Sequence, residues 1–175
     1  MPLTPFHFGP GFLIKSVIPK SFSFRVFIFA NIIIDLEPLY FILTNQFPVH
    51  RFFHTYLGAI LVGIISALIA GPICYQWTAY WNKGFKNLKI NNKKITHTAL
   101  ISSSFVGSFS HVFLDSMMHR DMAPLSPFTS INGMLGVLSY QQIHFVCLIA
   151  GGIGLYLFLK NLRKKKARIK KIKEV

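Results

Sequence analysis

Two histidines and two aspartates are concentrated in the segment HVFLDSMMHRD, residues 111–121, of a chain that has only five acidic residues. His111, Asp115 and His119 are spaced at i, i+4 and i+8, so a helix places them along one face. Imidazole nitrogens and carboxylate oxygens are ligand atoms of zinc and similar divalent metals. This segment therefore predicts one side of a metal site.

Ligand-type residues also lie beside two other apolar segments. His50 and His54 are again spaced i, i+4, shortly before the apolar block 56–76. Asp35 and Glu37, in the sequence DLEP, follow the apolar block 24–34. If the three segments converge, they supply enough nitrogen and oxygen atoms for one metal with an open water position, or for two or three metals.

The rest of the chain is rich in apolar residues. Hydrophobic residues make up 52% of the sequence, and no formal charge occurs between Thr55 and Asn82. Runs of this length reach the ~20 residues that cross a bilayer as a helix. We therefore predict an all-α integral membrane protein, a helical bundle of about three full transmembrane helices plus an N-terminal helical hairpin. Apolar blocks 56–76, 99–118 and 144–159 are the candidate full spans.

The N-terminal hairpin is predicted from segments 7–18 and 22–36, each too short as a helix for the ~30 Å hydrocarbon core. Gly11, Pro19 and the nearby serines allow the chain to dip into the membrane and return. The open end of the hairpin would bring His7 beside Asp35. Pro38, which has no backbone N–H, is expected to end the second helix.

Basic residues alternate between rich and poor segments along the chain. Residues 1–25 contain three Lys or Arg, 36–55 one, 77–98 five, 116–142 one, and the segment from Lys160 nine. The positive-inside bias then predicts an inner-membrane protein whose 77–98 loop and C-terminus are cytoplasmic. We expect one transmembrane domain, 1–160, and an unstructured cationic tail, 161–175. The tail is expected to contact anionic lipid headgroups rather than nucleic acid.

The order of these motifs is similar to that of a known family. An N-terminal histidine, an aspartate that closes a helix, the box HRFFHT and a later HVFLD before Pro-Phe resemble bacterial membrane-bound metal-dependent hydrolases of the LexA-regulated inner-membrane type. The resemblance covers roughly residues 1–128. That family looks distantly related to zinc-dependent phospholipase C and P1-type nucleases. The resemblance implies six metal ligands: His7, Asp35, His50, His54, His111 and Asp115.

The resemblance also implies a function. We expect hydrolysis of a phosphoester, in a lipid-like or small-molecule substrate, at the outer membrane face, with a divalent metal, zinc by first choice, as cofactor. His119 is a further candidate ligand by its spacing, and Glu37 or Asp121 is expected to act as general base. Two motifs depart from the family pattern, since its Pro-Asp-x-Asp-His box reads IDLEP here and HRFFHT lacks the usual glycine.

Two other interpretations stay open at this point. A non-enzymatic protein that handles metal or protons would use the same ligands. A structural or assembly protein would use the His111–Asp115 pair only as a hydrogen bond between helices, with His50 and His54 as interfacial residues. Metal content separates the structural interpretation from the other two, and substrate turnover separates hydrolysis from metal binding alone.

Overall fold

The computed structural model describes residues 5–85, 90, 92 and 94–173, with side chains as far as residue 164. A 3-10 turn, Pro5–His7, leads into five helices. They are α1 (Phe8–Val17), α2 (Phe24–Leu43), α3 (Tyr56–Gly84), α4 (His97–Met118) and α5 (Tyr140–Lys173). The described residues contain no strand, so the all-α prediction is confirmed.

Three of the helices are long and apolar enough to cross a membrane: α2, α3 and the part of α5 from Tyr140 to Lys164. The prediction of three such helices is confirmed, but α2 takes the place expected for the block 99–118. Helix α4 has 22 residues, a length of about 33 Å. Its serines, histidines and aspartate lower its apolar character, and it buries these groups against α2 and α3.

The prediction that Pro38 ends the second helix is wrong. Helix α2 continues through Pro38 to Leu43, and Pro38 itself is buried. A proline inside a helix removes one backbone hydrogen bond. Ending the helix there would instead leave the backbone groups of the apolar residues 39–43 without helical partners at membrane depth, which costs more.

The predicted N-terminal hairpin is formed by α1 and α2, but its second arm is long enough to cross the membrane and not short as expected for residues 22–36. Its turn lies between α1 and α2, where the Ser102 hydroxyl donates to the Ser21 carbonyl at 2.5 Å. The Ser23 amide donates to the Ser103 hydroxyl at 2.7 Å. These two bonds fix the turn near the start of α4 and leave the open end of the hairpin, with His7, at the far end of that helix.

Small residues let α1 lie directly against α5. A Cβ atom added at Gly9 would lie 2.0 Å from the Cys147 carbonyl oxygen, and one added at Gly154 would lie 2.8 Å from the Leu13 nitrogen. The Ser16 hydroxyl also donates to the Gly154 carbonyl at 2.8 Å. This close packing fixes the position of α1, and therefore of His7, relative to the bundle.

The basic segment after residue 160 is part of α5, which continues to Lys173. The expectation of an unstructured tail is therefore wrong for the described residues. Lysine, arginine and alanine are good helix formers, and no glycine or proline interrupts the segment 161–173. Helix α5 therefore continues past its candidate membrane-spanning part, Tyr140–Lys164, to Lys173.

Two ends of the bundle differ in charge. The acidic end contains the carboxylates that the structure describes: Asp35, Glu37, Asp115 and Asp121. The basic end is formed by the α1–α2 turn, the end of α3 and the start of α4, and it contains Lys20, Arg25, Lys83 and Lys94. Ligand-type residues therefore meet at the acidic end.

Candidate metal centre

The loop before α3 is folded back onto α2 by Glu37. Its carboxylate accepts hydrogen bonds from the backbone amides of Arg51 and Phe53, both at 3.0 Å. The Thr55 hydroxyl then caps α3 by accepting from the Gly58 amide at 2.9 Å. Because His54 directly precedes this cap, its ring is fixed against the end of α2, where it is fully buried.

The first group of ligand-type residues contains Asp35, His54, His111 and Asp115, all buried, whose donor atoms lie within 4.8 Å of one another. His111 Nε2 lies 3.3 Å from Asp35 Oδ1 and 3.2 Å from Asp115 Oδ2. His54 Nε2 lies 3.7 Å from the same Asp115 oxygen. Ligand atoms at ~2.0–2.2 Å from one metal lie at most about 4.4 Å apart, so a small contraction brings this group to metal-binding distances.

A second group shares one residue with the first. His50, Asp115 and His119 also have donor atoms within 4.8 Å of one another. The imidazole rings of His50 and His119 lie with their centroids 4.2 Å apart, and His119 Nε2 is 4.0 Å from Asp115 Oδ2. Asp115 is therefore common to the two groups, and histidines of both approach its Oδ2 atom.

His7 completes the cluster from the N-terminal hairpin. Its Nε2 lies 3.3 Å from Asp115 Oδ1, and its ring meets that of His111 with centroids 4.8 Å apart. The predicted convergence is thus present, although His7 contacts Asp115 rather than the expected Asp35. The structure brings together all seven predicted ligands: His7, Asp35, His50, His54, His111, Asp115 and His119. That they bind metal stays a prediction.

Several atoms of this cluster are buried and make no hydrogen bond to any other described residue. They are His7 Nδ1 and Nε2, His54 Nε2, His111 Nε2 and Asp115 Oδ1. A buried polar atom without a partner is costly, and the great majority of such atoms have one. Nitrogen and carboxylate oxygen atoms that lie 3.2–3.7 Å apart without a hydrogen bond are spaced as the ligands of one divalent metal are.

Outer contacts fix the orientation of three of these histidines through their Nδ1 atoms. His54 Nδ1 lies 3.3 Å from Glu37 Oε2, and His50 Nδ1 lies 2.9 Å from Asp121 Oδ1. His111 Nδ1 lies 3.0 Å from Asn31 Oδ1. A hydrogen bond from Nδ1 of this kind leaves Nε2 free to bind a metal, as is usual for metal-binding histidines.

Sequence reasoning missed Asn31. Its side-chain amide also donates to the Phe27 carbonyl at 2.8 Å, so the side-chain oxygen is held toward His111. A signal was present, because Asn31 is the only amide in the apolar block 24–34 and precedes Asp35 by one helical turn. A polar residue at that spacing lies on the same helix face as the predicted ligand.

A comparison with known protein families agrees with the membrane fold. Residues 7–172 match the family described as YdjM inner membrane protein. The chain belongs to the YdjM inner membrane protein family. Neither the curated proteins nor the solved structures give a match. The match makes the chain an inner-membrane protein, and it carries no statement about hydrolysis or about similarity to phospholipase C or P1 nuclease.

In this YdjM-family chain, burial and hydrogen bonds shift the pKa of site residues that lie outside the membrane-spanning helices. Burial lowers the pKa of His7 to about 3, although the nearby Asp115 carboxylate opposes this shift. Burial likewise lowers the pKa of His54, against the hydrogen bond with Glu37. Partial burial raises the pKa of Asp121, but hydrogen bonds from His50 outweigh it and hold that pKa below its usual value. Neutral imidazoles are the form that binds metal.

The cluster opens to one side through an apolar groove. The groove has a volume of about 630 Å³, and His50, His119 and Asp121 line it together with the apolar residues Pro38, Ile42, Phe47, Pro48 and Val49. His50 and His119 belong to the second ligand group, so that group faces the groove. The first group lies deeper, with His54 and His111 almost completely buried.

Two other histidines lie outside the cluster. His97 is at the basic end, at the first residue of α4. His144 Nδ1 donates to the Tyr140 carbonyl of its own helix at 2.7 Å, and its ring packs on Phe6. Neither belongs to a group of ligand-type residues that the structure brings together.

Proposed function

We propose that this inner-membrane protein is a metal-dependent hydrolase that acts on the phosphoester of a lipid-like substrate. The observation that carries the proposal is that two groups of ligand-type residues share Asp115, whose Oδ2 atom lies 3.2–4.0 Å from the Nε2 atoms of His54, His111 and His119. Two metals sharing one carboxylate are a common arrangement for stabilising both the attacking and the leaving oxygen of a phosphoester. Zinc is our first choice, because nitrogen and carboxylate ligands suit it.

Bound metal would supply Lewis acidity toward a phosphoryl oxygen and would acidify a water molecule. The protein supplies position and shielding. The first ligand group (Asp35, His54, His111 and Asp115) is buried and therefore shielded from bulk water. Half-buried His119 and buried His50 define the side from which a substrate approaches.

The groove supports a substrate with an apolar part. Five of its eight lining residues are proline, valine, isoleucine or phenylalanine, while its polar residues are those beside the ligand cluster. A phosphate group placed against His50 and His119 would leave the rest of the molecule in the apolar part of the groove. Pockets that combine apolar walls with a few polar groups bind amphipathic molecules in this way.

Glu37 and Asp121 were predicted to act as general base, and their contacts support a different role. Both oxygens of Glu37 accept hydrogen bonds, from Arg51 N, Phe53 N and His54 Nδ1. Both oxygens of Asp121 are engaged as well, with Val49 N, His50 N and His50 Nδ1. We propose that both carboxylates are positioning residues, which orient His54 and His50 and hold the loop before α3.

The test of this function is metal removal followed by a substrate assay. Elemental analysis of the purified chain is expected to find about two equivalents of zinc or a similar metal. Treatment with EDTA should abolish release of headgroup from a fluorescent phospholipid in mixed micelles, and added zinc should restore it. Metal without hydrolysis would contradict the enzymatic proposal, and absence of metal would contradict the metal centre as well.

One feature favours a second candidate function, in which the cluster only holds helices together. The same groups already lie 2.9–4.0 Å apart, and they join α2, α4, the N-terminal hairpin and the loop before α3. On this interpretation EDTA would leave the thermal stability of the chain unchanged. A metal centre instead predicts a clear loss of stability on chelation, because metal bound only to the folded state stabilises it.

For the orientation in the inner membrane we propose that the basic end and the C-terminus are cytoplasmic. The alternation of basic residues supports this orientation, which also places residues 161–175 as a cationic cytoplasmic tail. Single cysteines are introduced at Arg120, in the exposed loop of the acidic end, and at Lys164, with Cys74 and Cys147 replaced by alanine. A membrane-impermeant maleimide applied to intact spheroplasts should label the Arg120 position and spare the Lys164 position. The reverse pattern would overturn the orientation.

A further inference from the structure

A second cleft lies at the basic end of the bundle, far from the ligand cluster. It has a volume of about 360 Å³ and lies between the start of α2, the second half of α3 and the start of α4. Arg25 lines it from α2, and Lys94 and His97 line it from the segment that leads into α4. Arg25 is ten residues from Asp35 on the same helix, a distance of about 15 Å.

Arg25 is held in place at the wall of the cleft. Its guanidinium group donates to the hydroxyl of Thr78, which is completely buried. The Thr78 hydroxyl in turn donates to the Cys74 carbonyl at 2.7 Å. A guanidinium group has five N–H donors, so this single contact leaves donors of Arg25 for another partner.

The cations of this cleft have no carboxylate partner among the residues that the structure describes. The four described carboxylates, Asp35, Glu37, Asp115 and Asp121, all belong to contacts at the acidic end. A half-buried arginine with apolar neighbours is costly without a counter-charge. The cleft is therefore complementary to an anion.

The apolar part of the cleft and its depth in the membrane indicate what carries that anion. Pro72, Ile95 and Leu100 form walls beside the cations. Tyr75 also lines the cleft and is 53% exposed, and Trp77 and Tyr80 of the same helix are exposed further along. Exposed Trp and Tyr at the end of a membrane-spanning helix mark the headgroup level of the bilayer.

We infer that this cleft is a binding site for one anionic phospholipid, whose phosphate is bound by Arg25 and Lys94 and whose acyl chain lies along the walls of α3 and α4. The site is distinct from the basic C-terminal segment 161–175, for which contact with anionic headgroups is a separate expectation. It also does not depend on the proposed hydrolysis, since no ligand of the metal cluster takes part. Basic clefts between transmembrane helices are a known way of recognising such headgroups.

The experiment is native mass spectrometry of the full chain in detergent, titrated with dioleoylphosphatidylglycerol or with dioleoylphosphatidylcholine. An ionic strength of about 0.2 M shortens the Debye length below ~10 Å, which weakens long-range attraction of lipid to the basic chain more than direct contact of a phosphate with the half-buried Arg25. We expect one phosphatidylglycerol per chain to survive, with phosphatidylcholine bound more weakly. Arg25→Gln and Lys94→Gln should each weaken phosphatidylglycerol binding about fivefold.

Two matched variants remove the same charge outside the cleft. Lys20→Gln changes an exposed residue of the α1–α2 turn, and Lys164→Gln changes an exposed residue of α5. Both should bind phosphatidylglycerol as the unchanged chain does, and an equal loss in all four variants would overturn the site. Because Lys94 is exposed, its variant tests the site even if Arg25→Gln fails to fold. Displacement of the lipid by equimolar inorganic phosphate would overturn the lipid as occupant and assign the cleft to free phosphate.

Discussion

Replacing Asp115 by Asn is expected to remove bound metal from both ligand groups at once. Asp115 is the one residue common to them, and its two oxygens lie 3.2–4.0 Å from the Nε2 atoms of His7, His54, His111 and His119. Asparagine keeps the size but has one weakly coordinating oxygen and no negative charge. We expect metal affinity to fall by more than about 100-fold. Replacing a residue that only hydrogen-bonds a metal ligand typically costs less than this. Elemental analysis and zinc titration measure it.

Two single-group variants serve as the internal comparison for Asp115→Asn. Asp35 belongs only to the first group and His119 only to the second. Asp35→Asn and His119→Gln should therefore each lose about one of two metals, as a shared bridging carboxylate requires. His144→Gln, which changes a histidine outside both groups, should keep the full metal content. Full metal retention in Asp115→Asn would refute the bridging role, and complete loss in either single-group variant would show one metal instead of two.

Replacing Glu37 by Gln is expected to weaken metal binding 10- to 100-fold through its effect on His54. The carboxylate lies 3.3 Å from His54 Nδ1 and also accepts the amides of Arg51 and Phe53. The variant loses the charge that holds His54 in its metal-binding orientation, and one of the acceptors of the loop. Zinc affinity of the purified variant, measured by competition with a chelator of known affinity, tests this expectation.

Excess zinc separates the two roles considered for Glu37. A positioning residue acts through His54, so saturating zinc should restore most of the hydrolysis in Glu37→Gln. A general base would leave zinc affinity unchanged and hydrolysis lost at every zinc concentration. Asp121→Asn is the matched variant, because Asp121 contacts the Nδ1 atom of His50 in the way that Glu37 contacts the Nδ1 atom of His54. Unchanged zinc affinity in both variants would refute the positioning role.

The fold class and the partners of the site followed from local patterns in the sequence. Long uncharged runs predict membrane-spanning helices because the hydrocarbon core excludes charge and unpaired backbone groups. The spacing of His111, Asp115 and His119 predicts one helix face, because 3.6 residues per turn fix that geometry locally. The prediction that Pro38 ends a helix was wrong, because the apolar residues that follow the proline keep the helix intact.

Which atoms meet was decided only by tertiary packing. Nothing in the sequence near Glu37 specifies that its oxygens accept the amides of residues 51 and 53 or face His54 Nδ1. His7 reaches Asp115 because small residues bring α1 against α5 and the turn of the hairpin docks on α4. Asn31 contacts the site only because α4 packs against α2, since its partner His111 lies 80 residues further along the chain.

By itself the sequence determined an all-helical inner-membrane chain with its cluster of ligand-type residues at one end and most of its cations at the other. Both properties depend on local composition and on the period of the helix, and each segment carries them regardless of its neighbours. The tertiary structure alone decided that Asp115 is common to two ligand groups, that Glu37 and Asp121 contact histidine Nδ1 atoms, and that Arg25 and Lys94 line one cleft. Contacts between distant segments depend on how whole helices pack, and the close packing of the interior fixes them.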